Sequence, residues 1–323
     1  MFGDMKLIVA GLVLLLGMHA WAQQPIPVIL DTDIGDDIDD ALALALALQS
    51  PELKILAVTT VLQDGQRRAD LVWKILDLYG RKGIPIGVGA EQTLLGKPNK
   101  NTIIQGSALG PQDRLPAGEV KNGVQLLIDT CMNAQGKITL LAYGPLTNVA
   151  IALRAEPRIK DKLDRIVLMN GMFFKPQLEY NTYTDSEASA IVYASGVPIE
   201  TVGLDVTLQC KMTAADLERM SSSTLPHAQF LMKLIRAWQN GNPNQRPTLH
   251  DPLAIGITIR PNLVHMERGR VEVEVKGEPG KTYGMTLFHP DAKGTTQVAS
   301  QVEASAFIQL FLDRVLAKPR VAQ

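Results

Sequence analysis

Six aspartates fall within ten residues, Asp31-Thr32-Asp33-Ile34-Gly35-Asp36-Asp37-Ile38-Asp39-Asp40, between a short apolar segment and an Ala/Leu run. The first has strand character and the second helical character. Like charges this close repel, so a fold that gathers them at one strand end calls for a cation to offset the repulsion. An all-oxygen donor set of this kind suits Ca2+ or Mg2+. One or two aspartates before a helix are ordinary, because they cap free N–H groups and suit the positive end of the helix dipole. Capping accounts for Asp39 or Asp40 and leaves the D-T-D-I-G portion to be explained.

Residues 1–22 read as a secretory signal: an apolar run over 7–16 precedes Ala20-Trp21-Ala22, a small-x-small cleavage site. Asp4 is out of place in such a segment, and Met5-Lys6 offers a cleaner start. The run is shorter than the ~20 residues a membrane span needs, so the expectation is an exported protein, periplasmic or secreted, without a stable membrane anchor. Residues 23–323 are expected to form one domain, since no Pro/Ser-rich linker divides them. A net charge of −1 with interspersed signs provides no footprint for nucleic acid, which leaves a small molecule as the expected partner. Self-association as a dimer or tetramer stays open. The only cysteines, Cys131 and Cys210, lie far apart, on an expected helix and in an expected loop. Export permits a disulfide between them, and two buried thiols fit equally well.

Strand-like apolar runs at 27–30, 54–61, 137–142, 165–169 and 199–203 alternate with helical periodicity, as at 67–79, 120–132 and 186–194. Strands apolar on both faces and separated by helices predict an α/β fold, with a mostly parallel central sheet covered on each side. Late in the chain, 270–276 alternates strictly and is followed by Gly277-Glu278-Pro279-Gly280 and a second run at 283–288. This predicts a β-hairpin with one wet face. A helix at 303–316 closes the chain. Ligands of open parallel sheets bind beyond the carboxyl ends of the strands. Asp33, Thr59-Thr60, Tyr143-Gly144 and Met169-Asn170 all fall at such ends.

His250-Asp251-Pro252 opens a further apolar stretch, 253–259. Asp251 can cap a helix beginning at Pro252, and a carboxylate that caps still has an oxygen for a metal. Glu179-Tyr180-Asn181 offers a carboxylate and an amide suited to sugar hydroxyls. Trp238, on an amphipathic stretch at 228–239, can stack on a ring, although helical tryptophans and residues such as Met169 are more often core.

In order, D-T-D-x-G with D-D-A-L-A, T-T-V, G-P-L-T-N, V-L-M, E-Y-N and H-D-P resemble the inosine-uridine preferring nucleoside hydrolase family, over about residues 28–316. The resemblance implies a Ca2+-dependent enzyme that cleaves the N-glycosidic bond of a nucleoside with water. Carried over by position, Asp33 is both the base acting on the water and a calcium ligand. Asp40, Asp251 and the Tyr143 carbonyl complete the metal set. Asp39 faces the ribose hydroxyls, Met169, Glu179 and Asn181 line the sugar, and His250 stands near the leaving base. The chemistry suits these residue types: departure of the base builds oxocarbenium character that carboxylates stabilise. A nitrogen base leaves more readily when protonated or stacked, which points to His250 and Trp238.

The sequence also departs from the family pattern. Two extra residues lie between Gly35 and Asp39-Asp40, so Asp36, Asp37 and Asp39 compete for the sugar-facing role. Gln63-Asp64 stand where the pattern often has Gly-Asn, which makes Asp64 a further candidate for substrate or metal contact. The loop 172–178 looks shortened. Two rivals have a basis in the sequence. A haloacid-dehalogenase-like phosphatase shares the D-x-D start, but Gly35 stands where that family wants Thr or Val. A secreted calcium-dependent nucleoside- or sugar-binding protein without turnover would keep the same residues.

Overall fold

The first strand occupies the middle of a ten-stranded sheet. In this computed structural model residues 24–96 and 103–319 are described, and the signal-like segment lies outside them. The strands are β1 (Ile26–Thr32), β2 (Leu53–Thr60), β3 (Ile86–Val88), β4 (Lys121–Asn122) and β5 (Ile138–Ala142). They continue with β6 (Leu163–Met169), β7 (Ile199–Val202), β8 (Val264–Val273), β9 (Thr286–Pro290) and β10 (Thr296–Val302). Their order across the sheet is β4-β3-β2-β1-β5-β6-β7-β10-β8-β9.

β1 pairs in parallel with β2 on one side and β5 on the other. The chain fills one half outward through β2, β3 and β4, then returns beside β1 to build β5, β6 and β7. The strand order therefore reverses between β1 and β5, where the connections leave in opposite directions and open a crevice. Asp31 to Asp33 end one of these strands, and Tyr143-Gly144 follow the other.

Both faces of the sheet are covered, as continuous apolar strands require. Val28 and Leu30 of β1 join one buried cluster, and Ile29 between them joins the other. On the first face the helices Asp39–Leu48 and His250–Ile259 pack against each other. Every residue of Asp39–Leu48 is buried, which explains its nearly uniform Ala/Leu sequence.

The expected strands and helices appear with shifts of a few residues at their ends. The hairpin is present as antiparallel β8 and β9, with β8 starting six residues earlier than the alternation indicated. β3, β4 and β10 were not anticipated. The first two have three and two residues, too few for a periodicity, and β10 reads Thr-Gln-Val-Ala-Ser-Gln-Val, weakly apolar. β10 inserts between β7 and β8, so it joins the parallel and antiparallel parts. Cys131 and Cys210 are both buried free thiols, which removes the disulfide alternative. Among the described residues no helix is long and apolar enough to cross a membrane.

Candidate active site

Two helices begin at the crevice. Asp39 and Asp40 form the first turn of Asp39–Leu48, and His250 and Asp251 the first turn of His250–Ile259. Neither helix has a side-chain cap at the residue before it, so none of these carboxylates plays the capping role open to it from sequence. Instead Asp39 Oδ2 accepts from the Asp251 backbone N–H across the two helices, at 3.2 Å. The positive ends of both helices thus face one carboxylate cluster.

Asp39, Asp40 and Asp251 are buried, and carboxylate oxygens from the three lie within 4.8 Å of one another. That spacing fits one cation. Asp40 is oriented by the Thr32 hydroxyl, which donates to its Oδ1 at 2.5 Å. Asp33 lines the same cavity, outside this trio, while Asp39, expected on the sugar, lies inside it. The bond from Asp251 N–H holds the Asp39 carboxylate toward the second helix. The cavity, about 500 Å3, is also lined by Asp36, Asp37, Tyr143, Met169, Glu179, Asn181, Trp238 and His250.

Burial drives the electrostatics. It pushes the Asp33 carboxyl up to about 7, with Arg68 opposing the shift and Asp36 and Glu179 adding to it. Asp39, Asp40 and Asp251 are raised well above the ordinary carboxylate range, first by burial and then by neighbouring carboxylates: chiefly Asp37 for Asp39, Asp33 for Asp40, and Asp39 and Asp40 for Asp251. Charges held so far out of water need a bound cation or protons. These oxygen donors fit a hard divalent metal. Glycine at 144 serves close approach: a Cβ there would lie 2.7 Å from Asp33 Oδ1.

The two aspartates between Gly35 and Ile38 now have places. Asp36 Oδ2 pairs with Arg68 Nη2 at 3.2 Å. Asp37 is exposed at the cavity rim and accepts from the Ile38 backbone N–H at 2.6 Å and from the Trp238 side chain. Asp64 is not brought to the cavity. It precedes the helix Gly65–Leu78 with φ 58° and lines a separate concavity with Arg67, Asp70 and Arg114.

On the β6 side, Met169 ends its strand, and Asn181 Nδ2 donates to its carbonyl at 3.1 Å. Glu179 accepts from the N–H groups of Gly171, Asn181 and Thr182 at 2.7–3.0 Å and from the Thr182 hydroxyl. Its carboxylate caps a short helix as well as lining the cavity. A His250 ring nitrogen shares a 2.7 Å hydrogen bond with Thr207 Oγ1. Burial pulls His250 down to about 4, which keeps the ring neutral at pH 7.

Sequence reasoning did not single out Arg68, Gln105 or Asn148. Gln105 Nε2 donates to the Asp37 carbonyl, and its backbone N–H donates to the Gly35 carbonyl. Asn148, the last residue of G-P-L-T-N, donates to Asp31 Oδ1 at 2.8 Å and to the Thr60 carbonyl at 2.9 Å. It ties the ends of β1 and β2 to the helix Thr147–Ala155. Asp31 itself is fully buried, and burial pushes its carboxyl up to about 6.

The model of the inosine-uridine preferring nucleoside hydrolase family matches residues 28–309. The chain is 32% identical over 309 residues to the pyrimidine-specific ribonucleoside hydrolase RihA of Salmonella gallinarum, covering 90% of this chain and 98% of the relative. It is 33% identical over 308 residues to the inosine-uridine preferring nucleoside hydrolase of Leishmania major, covering 90% and 97%. Among solved structures, the plant nucleoside hydrolase PpNRh1 superposes with TM-score 0.79 at 28% identity, covering 91% of this chain and 99% of that one. The purine-preferring ribonucleoside hydrolase from Gardnerella vaginalis does so with TM-score 0.78 at 27% identity, covering 92% and 100%.

Proposed function

The chain belongs to the inosine-uridine preferring nucleoside hydrolase family, enzymes that act on N-glycosyl bonds, and from that premise we propose an exported, Ca2+-dependent nucleoside N-ribohydrolase. The observation that carries the metal part is the buried trio Asp39, Asp40 and Asp251, three carboxylates from two helix starts at the strand-order reversal. Asp33 and the Tyr143 carbonyl stand ready to complete the set. The signal-like residues 1–22 support export, and the single sheet running through the described chain supports one catalytic domain over 23–323.

Asp33 takes the proton of the attacking water. It lines the same cavity as the carboxylate trio, the position a base acting on a water there needs. When bound, calcium supplies a fixed positive charge that holds the water and the ribose 2′ and 3′ hydroxyls in one frame and eases loss of the water's proton. As the C1′–N bond breaks, its electron pair passes to the base. The ring of carboxylates stabilises the positive character left on the ribose. Met169, Glu179 and Asn181 border the sugar. Trp238 offers a stacking wall, and the neutral His250 hydrogen-bonds to the departing base.

The test is release of free base from inosine, uridine, adenosine and deoxyinosine by residues 23–323, followed by chromatography with added Ca2+ and after chelation. Calcium-dependent release from at least one nucleoside is expected. No release by folded, calcium-loaded protein would overturn the reading in favour of a binding protein without turnover.

A further inference from the structure

Arg68 is the largest fully buried side chain among the described residues, and the chemistry outlined so far does not use it. It projects from the helix Gly65–Leu78 into the gap between the loop after β1 and the loop after β2. Its Nη1 donates to the carbonyls of Asp33 and of Ile34, the latter at 2.9 Å. Nε donates to the Gln63 carbonyl at 3.0 Å, and Nη2 to Asp36 Oδ2 at 3.2 Å. One guanidinium thus holds three backbone carbonyls and a carboxylate drawn from two loops.

Both loops follow paths that need holding. Gln63 lies between Leu62 and Asp64, which have φ of 70° and 58°, a left-handed backbone unusual for side chains of their size. Gly35, beside the Asp33 and Ile34 carbonyls, has φ 130°, and a Cβ there would meet Ile103 Cγ2 at 2.7 Å. A planar fork with five donors can satisfy groups converging from several directions, whereas the single nitrogen of lysine cannot. Asp33 is consequently gripped on two sides: its carbonyl by Arg68, and its carboxylate against Gly144.

We propose that Arg68, anchored by Asp36, is a positioning residue of the reaction, fixing the backbone of Asp33 so that its carboxylate points at the attacking water. This rests on the assignment of Asp33 as the base. Asp36 lies in the stretch between Gly35 and Asp39 that is two residues longer than the family spacing, and it supplies the anion that keeps a buried arginine beside the catalytic loop. Arg68 also places a positive charge within a cluster of carboxylates, where it opposes the upward shift of Asp33 and Asp40.

The variants are R68M/D36N, which removes both charges together and leaves no lone buried ion, and R68K, which keeps the charge and loses the fork. Each is made in residues 23–323 and compared with the parent protein. For R68M/D36N we expect kcat per folded molecule to fall about 100-fold, the scale of a misplaced reacting group, with KM nearly unchanged. R68K should recover part of that loss. Hydrogen exchange of metal-free protein provides a readout independent of turnover: amides 33–38 should exchange about tenfold faster in R68M/D36N, with β5 and β6 unchanged. Wild-type kcat together with wild-type exchange at 33–38 would overturn the assignment. So would faster exchange spread over the whole protein with kcat per folded molecule intact, which marks a merely structural role. If R68M/D36N does not fold, R68K is judged by the same two readouts. Should the parent protein release no base, the functional reading fails, while the exchange comparison still decides whether Arg68 fixes the loop.

Discussion

The loop after β1 and the loop after β6 both reach the cavity, and they are built on opposite principles. Between Asp33 and Ile38, four of six residues are buried, and the backbone is held by Arg68 and Gln105. In the loop after β6, Asn170, Gly171 and Met172 are buried, but residues 174–177 are exposed, and the Phe174 side chain is 44% exposed. Its fixed points lie at the base: Asp205 accepts from the N–H groups of Phe173 and Phe174 at 2.7 and 3.0 Å, and Thr286 accepts from that of Met172 at 3.0 Å. On the proposed reading, the carboxylate that meets the attacking water in one geometry sits on the clamped loop. The open loop brings Leu178 to the cavity wall, where changes cost the fold little.

The contrast predicts large, all-or-none effects on the clamped side. Asp33→Ala should lower kcat about 10³-fold while nucleoside still binds, within the range general-base catalysis contributes. Single-turnover kinetics and equilibrium binding measure the two quantities separately, and near-normal turnover would remove Asp33 from the role. Asp251→Ala should weaken calcium binding by more than the ~10–100-fold typical of an outer-shell partner. Unchanged calorimetric affinity would return Asp251 to a structural role at the helix start.

Chelation tests the clamped side through stability. Burial raises the folded-state Asp33 carboxyl from 3.8 to about 7, so without a cation the folded protein keeps a proton that the unfolded chain releases. The sign follows: the Asp33 contribution is fully present below about pH 4 and is lost as pH rises through about 7. Asp39, Asp40 and Asp251 are shifted in the same direction. On the proposed reading, calcium binds the deprotonated cluster and offsets the loss. The Tm difference between calcium-loaded and chelated protein should therefore widen from pH 5 to pH 8, and a constant difference would contradict the arrangement. On the open side effects should be smallest and selective. Leu178→Ala, on the open loop and lining the cavity, should change KM by no more than about tenfold, the value of one apolar contact, and reorder inosine and uridine. An equal loss for every nucleoside would mean that the two sides are not distinct.

The same contrast explains what could be read from the chain. The parallel sheet was legible because β1, β5 and β6 are apolar on both faces, and the acidic edge because six aspartates cannot be gathered without a reason. The family resemblance placed Asp33, Asp40 and Asp251 together, and in the structure they line one cavity. Arg68 was not legible: Arg67-Arg68 at a helix start looks like a solvated face, and only the tertiary fold buries one of the pair. Asp64 was expected at the site from its position after T-T-V. The left-handed turns at Leu62 and Asp64 carry it to another concavity, and nothing in the residue types signals those turns. The bond from Asp251 N–H to Asp39 was not legible either, because the two residues stand 212 positions apart.

The central claim is that the buried carboxylates form a calcium-dependent hydrolytic site, and it is tested most directly by titrating Ca2+ into metal-free residues 23–323 while following base release and ion uptake in the same sample. Turnover that is absent without calcium and rises to saturation as one ion binds per chain is the predicted result. Turnover that persists without calcium, or one bound ion with no turnover of any nucleoside, would contradict it.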